Sequence, residues 1–286
     1  MEKILVTGSE GFLASRIIKK YGDKYEIIPM NKNMLNITNE KQTIQTIRSI
    51  NPKYVIHTAA IADTGICQKN PELSYEVNVN GVINIAKACS LANSKLVNCS
   101  SEQIYNGNDE SGPYKENCDV TPNSVYAVHK LNAEREVDKL LDNAVHLRLT
   151  WMFGLPERGC KVNTNIITNI IRAIMNGDIY KAPSNEYRGM TYVHEVVENM
   201  EKIINLPKGI YNTGSENDYS TYEVAKIVVQ NLKLNRGLEE VLENDSERFK
   251  EKQRDLRIDN NKLRKSEIYF STTEDAIKKC LREFKI

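Results

Sequence analysis

Met1-Glu-Lys-Ile-Leu-Val-Thr-Gly-Ser-Glu-Gly-Phe-Leu-Ala14 decides the fold. Ile4-Leu-Val6 is a short apolar run of the kind that forms a strand buried on both faces. Thr7-Gly8-Ser-Glu-Gly11-Phe12-Leu13-Ala14 follows it directly and opens a helix. Glycines let the backbone turn tightly and approach a diphosphate, and the helix N-terminus offers free N–H groups and a positive dipole end. Ala14 is small enough for close packing of helix on strand. A lone glycine pattern carries little weight. One placed straight after the first strand carries much more.

Outward from this unit, strand-like runs alternate with helical ones. Tyr25-Glu-Ile-Ile28, Tyr54-Val-Ile-His57, Leu96-Val-Asn-Cys99, Val145-His-Leu-Arg-Leu149 and Ile210-Tyr-Asn212 are the further strands. Ile44, Ile47 and Ile50 recur on one helical face, as do Val82, Ile85, Ala86 and Cys89. A third helix carries Tyr126 and continues through Leu131, Val137, Leu140 and Leu141. Such alternation predicts an α/β fold: a Rossmann-type doubly wound parallel sheet with helices on both faces and ligands at the strand C-termini. After Gly154 the rhythm changes, with helices over 166–175 and from 221 to about 232. Residues 1–153, receiving roughly 190–214, are expected to form the nucleotide-binding domain. Residues 154–189 and 215–286 are expected to form a smaller mixed α/β substrate lobe. The mixed charges of 239–265 read as a solvated helical face.

The chain has 286 residues, with 39 Lys+Arg against 38 Asp+Glu, a balance that gives no support for a nucleic-acid or membrane-surface partner. Its six cysteines form no C-x-x-C pair, so they read as buried or reduced thiols and not as metal ligands. MEKILVTG runs straight into a strand without the features of a signal peptide, and no apolar run is long enough to span a bilayer. A cytoplasmic protein is the expectation.

Tyr126-Ala-Val-His-Lys130 holds the candidate chemistry. On a helix its phenol and ammonium share one face. A tyrosine ionises near pH 10, and a neighbouring lysine favours the phenolate and lowers that value. Such a pair can move a proton at a carbonyl. Ser101, at a strand C-terminus, can donate a hydrogen bond to a carbonyl or alkoxide, with Ser100 as its competitor; either serine can instead cap the following turn. The end of the second strand, Pro29-Met-Asn-Lys-Asn33, has no acid to bind a ribose 2′-hydroxyl. Lys32 can instead face a 2′-phosphate, or it is simply solvated.

These residues resemble the extended short-chain dehydrogenase/reductases. Thr7-Gly8-x-x-Gly11-x-x-Ala14, His57-Thr-Ala-Ala60, Ser-Ser101 with Ile-Tyr105, and Tyr126-x-x-x-Lys130 match in order, and Ser101 precedes Tyr126 by 25 positions (126 − 101), as in that family. Within the superfamily the chain is similar to the dTDP-4-dehydrorhamnose reductase group. Leu35-Asn-Ile-Thr38, Asn70-Pro-Glu-Leu-Ser-Tyr-Glu-Val-Asn78 and Leu147-Arg-Leu-Thr-Trp-Met-Phe-Gly154 carry that likeness. The resemblance implies reduction of the 4-keto group of a nucleotide-linked deoxysugar. Ser101, Tyr126 and Lys130 would be the catalytic centre; the missing acid after the second strand, with Lys32 there, is what favours NADP over NAD. It implies cofactor contacts from Gly8, Gly11, Phe12, Leu13, Lys32, Asn36, Ile37, Thr58, Ala59, Ala60 and Asn78, besides Tyr126 and Lys130. Arg188 would bind the substrate diphosphate or form an interlobe salt bridge, Asn165 would contact a substrate phosphate, and Trp151 would pack on the sugar or in the core. His57 reads as a satisfied strand histidine and His129 as a surface residue.

Some positions depart from the pattern. Asn36 replaces an aspartate near the adenine, Ala127 and His129 replace Gly and Ser/Thr, and Gly65 replaces an aspartate. Tyr187-Arg188-Gly-Met-Thr-Tyr-Val193 is closer to the Arg-Asp-Phe-x-Tyr-Val of sugar-nucleotide epimerases and dehydratases. Those activities stay open, although Glu102-Gln103 stands where dehydratases tend to have Asp-Glu. The regulatory subunit of methionine adenosyltransferase resembles the same group, so a non-catalytic, partner-binding role also stays open. Some relatives form homodimers, in certain cases through a metal, but no residues here secure either feature.

Overall fold

Lys3–Thr7 (β1), Glu26–Met30 (β2), Tyr54–His57 (β3), Lys95–Ser101 (β4) and Ala144–Leu149 (β5) are the first five strands of the computed structural model, which describes residues 1–234 and 237–285. Between them run helices α1 (Phe12–Tyr21), α2 (Glu40–Ile50), α3 (Thr64–Lys69), α4 (Pro71–Tyr75), α5 (Gly81–Ala92) and α6 (Val125–Leu140). Beyond β5 lie β6 (Trp151–Phe153), α7 (Ile166–Asn176), β7 (Tyr180–Pro183), β8 (Glu186–Arg188), β9 (Met190–Tyr192), α8 (Val193–Ile203) and β10 (Gly209–Thr213). The chain closes with α9 (Thr221–Asn231), β11 (Leu242–Asp245), β12 (Arg254–Leu256), α10 (Asn261–Arg264) and α11 (Thr273–Glu283).

Six strands form one sheet in the order β10-β5-β4-β3-β1-β2, every neighbouring pair parallel. The six strand segments anticipated from the sequence are these six. Alternation along β1 explains the double winding. Leu5, with Val55 and Leu96, packs under Ile47, Ile85 and Val137 of α2, α5 and α6. Ile4 and Val6, with Ile56 and Val97, face Ile17 of α1 and Val197 and Met200 of α8. Burying each such side chain stabilises the fold by about 1.5–3 kcal/mol. The second cluster continues into Ile166 and Ile170 of α7, Val228 of α9 and Ile277 of α11.

The strand order reverses between β1 and β3, where crossovers leave in opposite directions and open a crevice at the carboxyl edge. The register puts Thr7 beside His57, and Ser101 beside Leu149, at that same edge.

The segment 239–265 departs from expectation. It forms a short turn, β11, β12 and only four residues of helix, Asn261–Arg264. Alternation is the reason: Leu256 and Ile258 turn inward beside Ile104 and Tyr105, and Arg254 and Asp255 are held by partners instead of water. No helix among the described residues is long and apolar enough to cross a membrane.

Candidate active site

Gly8 follows β1 at φ +64°, and a Cβ on it would lie 2.9 Å from the backbone of Ala59. Only glycine lets the two strand ends approach so closely. The Thr58 hydroxyl donates to the Thr7 carbonyl at 2.8 Å, and the Ala59 N–H donates to Thr7 Oγ1 at 3.3 Å. Gly11 is the N-cap of α1, in extended backbone, and it supplies no side chain to occupy the helix entrance. Asn78 sits in a π-helical turn, Glu76–Asn80. Its amide accepts from Ile61 N–H and donates to Ile61 C=O, both at 2.9 Å, so it braces the loop after β3 from behind.

A cavity of ≈ 760 Å³ starts at Gly11, Phe12 and Leu13, passes Thr58 and Ala60, reaches Ser101, Tyr126 and Lys130, and ends at Trp151 and Arg188. This is the size of a small-molecule site, typically about 300–1,000 Å³. Its bare glycine cradle at a helix entrance fits the pyrophosphate of a dinucleotide.

The two serines separate cleanly. The Ser100 hydroxyl donates to the buried Glu134 carboxylate. Ser101 Oγ accepts from the Gln103 N–H at 3.2 Å, so it does cap the turn Glu102–Tyr105. The same hydroxyl contacts the Tyr126 phenol, where it favours ionisation. Tyr126 and Lys130 share the inner face of α6, both buried. Lys130 Nζ lies 5.7 Å from the Tyr126 ring centroid and donates to the Cys99 carbonyl at 2.8 Å.

The expectation that Lys130 holds the tyrosine pKa down is not met. Burial, and next the Glu102 carboxylate, push the Tyr126 phenol well above its ordinary range. Burial also lowers Lys130, against the opposing influence of Cys99 and Glu134. Tyr126 is therefore a firmly protonated phenol at neutral pH, the state needed in a group that gives a proton away.

Glu102 begins the turn after Ser101 and is 1% exposed. It pairs with Arg188, whose guanidinium also lies over the Trp151 ring, 5.1 Å from its centroid. Arg254 joins them, donating to Gln103 Oε1 at 2.6 Å and Glu186 Oε1 at 2.8 Å.

The family described as the RmlD substrate binding domain matches residues 1–286. The chain belongs to that family. It thereby stands among the extended short-chain dehydrogenase/reductases. It is 28% identical over 250 residues to a dTDP-4-dehydrorhamnose reductase of Aggregatibacter actinomycetemcomitans, covering 84% of this chain and 83% of the relative. It is 26% identical over 238 residues to methionine adenosyltransferase 2 subunit beta of Xenopus laevis, covering 78% of this chain and 70% of the relative. Its fold matches the crystal structure of dTDP-4-dehydrorhamnose reductase from Bacillus anthracis in complex with NADP, with a TM-score of 0.87, 23% identity and 99% of each chain covered.

Several residues of this RmlD-family chain do other work than expected. Asn165 is fully buried as the N-cap of α7. Its oxygen accepts from Ile167 and Thr168 N–H groups, and its amide donates to the Gly154 and Asn163 carbonyls, so it has nothing left for a phosphate. His129 is not on the surface: it is buried against Ser74 Oγ at 3.0 Å and the Tyr75 ring, because α4 packs over that face of α6. His57 is only half satisfied. Nδ1 lies 2.8 Å from Thr7 Oγ1, while buried Nε2 has no partner among the described residues. Burial and the Lys130 charge take its pKa down to about 3. Arg188 makes the salt bridge and lines the cavity as well, so its two readings coexist.

Lys32, Asn36 and Ile37 lie on the loop after β2, outside the lining of this cavity. Lys32 is exposed, and the Asn36 side-chain oxygen accepts from the Thr38 hydroxyl at 2.9 Å. An acid does stand beside this loop, but it comes from the glycine turn: Glu10 accepts from Asn31 Nδ2 at 2.8 Å. Sequence reasoning missed Glu10, Glu186 and Arg254. Only Glu10 had a local signal, its place inside the glycine turn. No group of three or more His, Cys, Asp or Glu among the described residues is arranged to hold a metal ion.

Proposed function

We propose that the protein is an NAD(P)H-dependent oxidoreductase that reduces the 4-keto group of a nucleotide-linked deoxysugar. The convergence of Ser101, Tyr126 and Lys130 on one cavity that begins at the glycine turn carries the reading. Family membership and the reductase relatives support it.

Bound in the cradle, a reduced nicotinamide cofactor supplies the reducing equivalents. Gly8, Gly11, Phe12 and Leu13 would hold its pyrophosphate, with Thr58, Ala59 and Ala60 along the adjoining strand edge. The Tyr126 phenol gives its proton to the carbonyl oxygen as negative charge develops there. Ser101 would orient that oxygen by turning its O–H from the phenol to the substrate, since its turn-capping bond uses only a lone pair. Lys130 spends one of its three N–H donors on Cys99 and keeps the others for the cofactor ribose and the phenol. Proton transfer of this kind contributes about 10²–10⁴-fold in rate. At the far end, Arg188 would hold the diphosphate and Trp151 the sugar. In this reading residues 1–153 with 190–214 serve the cofactor, and 154–189 with 215–286 serve the substrate.

NADP is the preferred cofactor in this account, through Lys32. Cytoplasmic location, a homodimer and freedom from nucleic acid belong to the same proposal. The deciding experiment follows NADPH and NADH oxidation with a panel of nucleotide 4-keto-6-deoxysugars. Stoichiometric consumption identifies a reductase. Sugar conversion without consumption points to an epimerase or dehydratase.

The likeness to methionine adenosyltransferase 2 subunit beta favours a second reading, a subunit that serves a partner enzyme. Co-purification with a synthetase and no turnover of any keto-sugar would select it.

A further inference from the structure

Glu102 is the most deeply buried carboxylate in the cavity wall, at 1% exposure. Carboxylates are almost never buried to this degree unless paired. The charged and titratable groups around it come from three elements. Arg188 and Glu186 lie on β8, Arg254 on β12, and Tyr126 and Lys130 on α6. Its direct cation is Arg188, 86 positions away in sequence. The Arg188 guanidinium is not used up by that pair: only Nη2 bonds to Glu102, and the side chain, still 12% exposed, lines the cavity. A second anion therefore has a donor waiting for it inside the cavity. Phosphate groups suit a planar guanidinium well.

Glu102 is also the charge that most strongly discourages ionisation of Tyr126. The ion pair and the proton donor thus meet in one residue.

We propose that Glu102 is a positioning residue that couples nucleotide-sugar binding to the proton donor: a diphosphate drawn onto Arg188 weakens the Arg188–Glu102 pair, and Glu102 takes up a proton as the ligand seats. This rests on the nucleotide-sugar reading above. A buried carboxylate that loses the field of its cation is costly, and protonation relieves the cost. The proton comes from solvent and rests on the carboxyl oxygen; no bond of the ligand is made or broken. Once neutral, Glu102 no longer opposes negative charge on Tyr126. The phenol then releases its own proton more readily to the substrate oxygen. When the ligand leaves, the ion pair re-forms and the proton returns to solvent.

Calorimetric titration with dTDP-, UDP- and GDP-glucose tests this. Their diphosphate diesters carry no group that titrates near neutrality, so any proton exchanged belongs to the protein. Run in two buffers of different ionisation enthalpy, wild type should take up as much as about one proton per ligand. Its affinity should weaken as pH rises, by at most about tenfold per pH unit. Glu102→Gln should bind the same ligand with that uptake and pH dependence lost. Binding without proton uptake in wild type, or with equal uptake in Glu102→Gln, overturns the coupling and leaves the nucleotide-sugar reading standing. Failure of all three ligands to bind overturns both. Should Glu102→Gln not fold, the wild-type buffer pair and Glu102→Asp, which retains a titrating group and should retain uptake, decide the matter.

Discussion

The Lys130 ammonium donates to the Cys99 carbonyl at 2.8 Å, so a β4 backbone group fixes the cation above the sheet edge. This anchor, and not a direct bond to Tyr126, sets where the charge stands. Lys130→Met should therefore lower turnover at least about 100-fold and weaken cofactor binding as well. Tyr126→Phe should lower turnover by about 10²–10⁴-fold with cofactor affinity nearly intact. Steady-state kinetics paired with fluorescence titration of NADPH separates the two. Wild-type cofactor affinity in Lys130→Met would remove the ribose contact from the mechanism.

Glu10 and Lys32 bring opposite charges to the region that a 2′-phosphate would enter. Exposed contacts are worth about 0.2–1 kcal/mol, so Lys32→Ala should raise the KM for NADPH by up to about fivefold and leave that for NADH unchanged. Glu10→Gln keeps an acceptor for Asn31 but removes the negative charge, and it should lower the KM for NADPH. Equal shifts for both cofactors would exclude recognition of the 2′-phosphate by these residues.

The sheet was legible because each strand is a short apolar run and each crossover helix shows one buried face, both local patterns. The glycine turn and the Tyr126–Lys130 pair were legible as local patterns, whereas the choice of Ser101 over Ser100 came from the family resemblance. What stayed hidden depends on long-range pairing. Arg254 reaches Gln103 across 151 positions, and nothing in the run Arg254-Asp-Leu-Arg257 announces that partner. The raised pKa of Tyr126 was hidden too, since spacing shows that Lys130 is near but not that burial and Glu102 outweigh it. Helical phase places His129 off the Tyr126–Lys130 face, but only the tertiary packing of α4 covers it.

Asn165 does structural work in this chain. Its side chain caps α7 and ties the helix entrance to the Gly154 carbonyl at 2.9 Å. Asn165→Ala should cost about 1–2 kcal/mol of stability in urea unfolding. Asn165→Ser, which keeps a capping oxygen, should recover part of it. The KM for the nucleotide sugar should not change in either. A raised KM with full stability would return Asn165 to the substrate site.

His57 gives the fold a pH dependence of known sign. Burial and the nearby Lys130 charge hold the folded imidazole neutral down to about pH 3. In the unfolded chain the same ring takes a proton near its ordinary value of about 6.5. Between these values the unfolded state binds more protons, so stability is full above about pH 6.5 and is lost as pH falls. The slope attributable to His57 reaches about 1.4 kcal/mol per pH unit. Urea unfolding of wild type and His57→Gln at pH 7, 6 and 5 isolates it, since most carboxylates titrate below that window. The variant should lose less stability than wild type on acidification. Parallel curves would mean that the imidazole protonates as readily folded as unfolded, and that the Nε2 side of the ring is open to water.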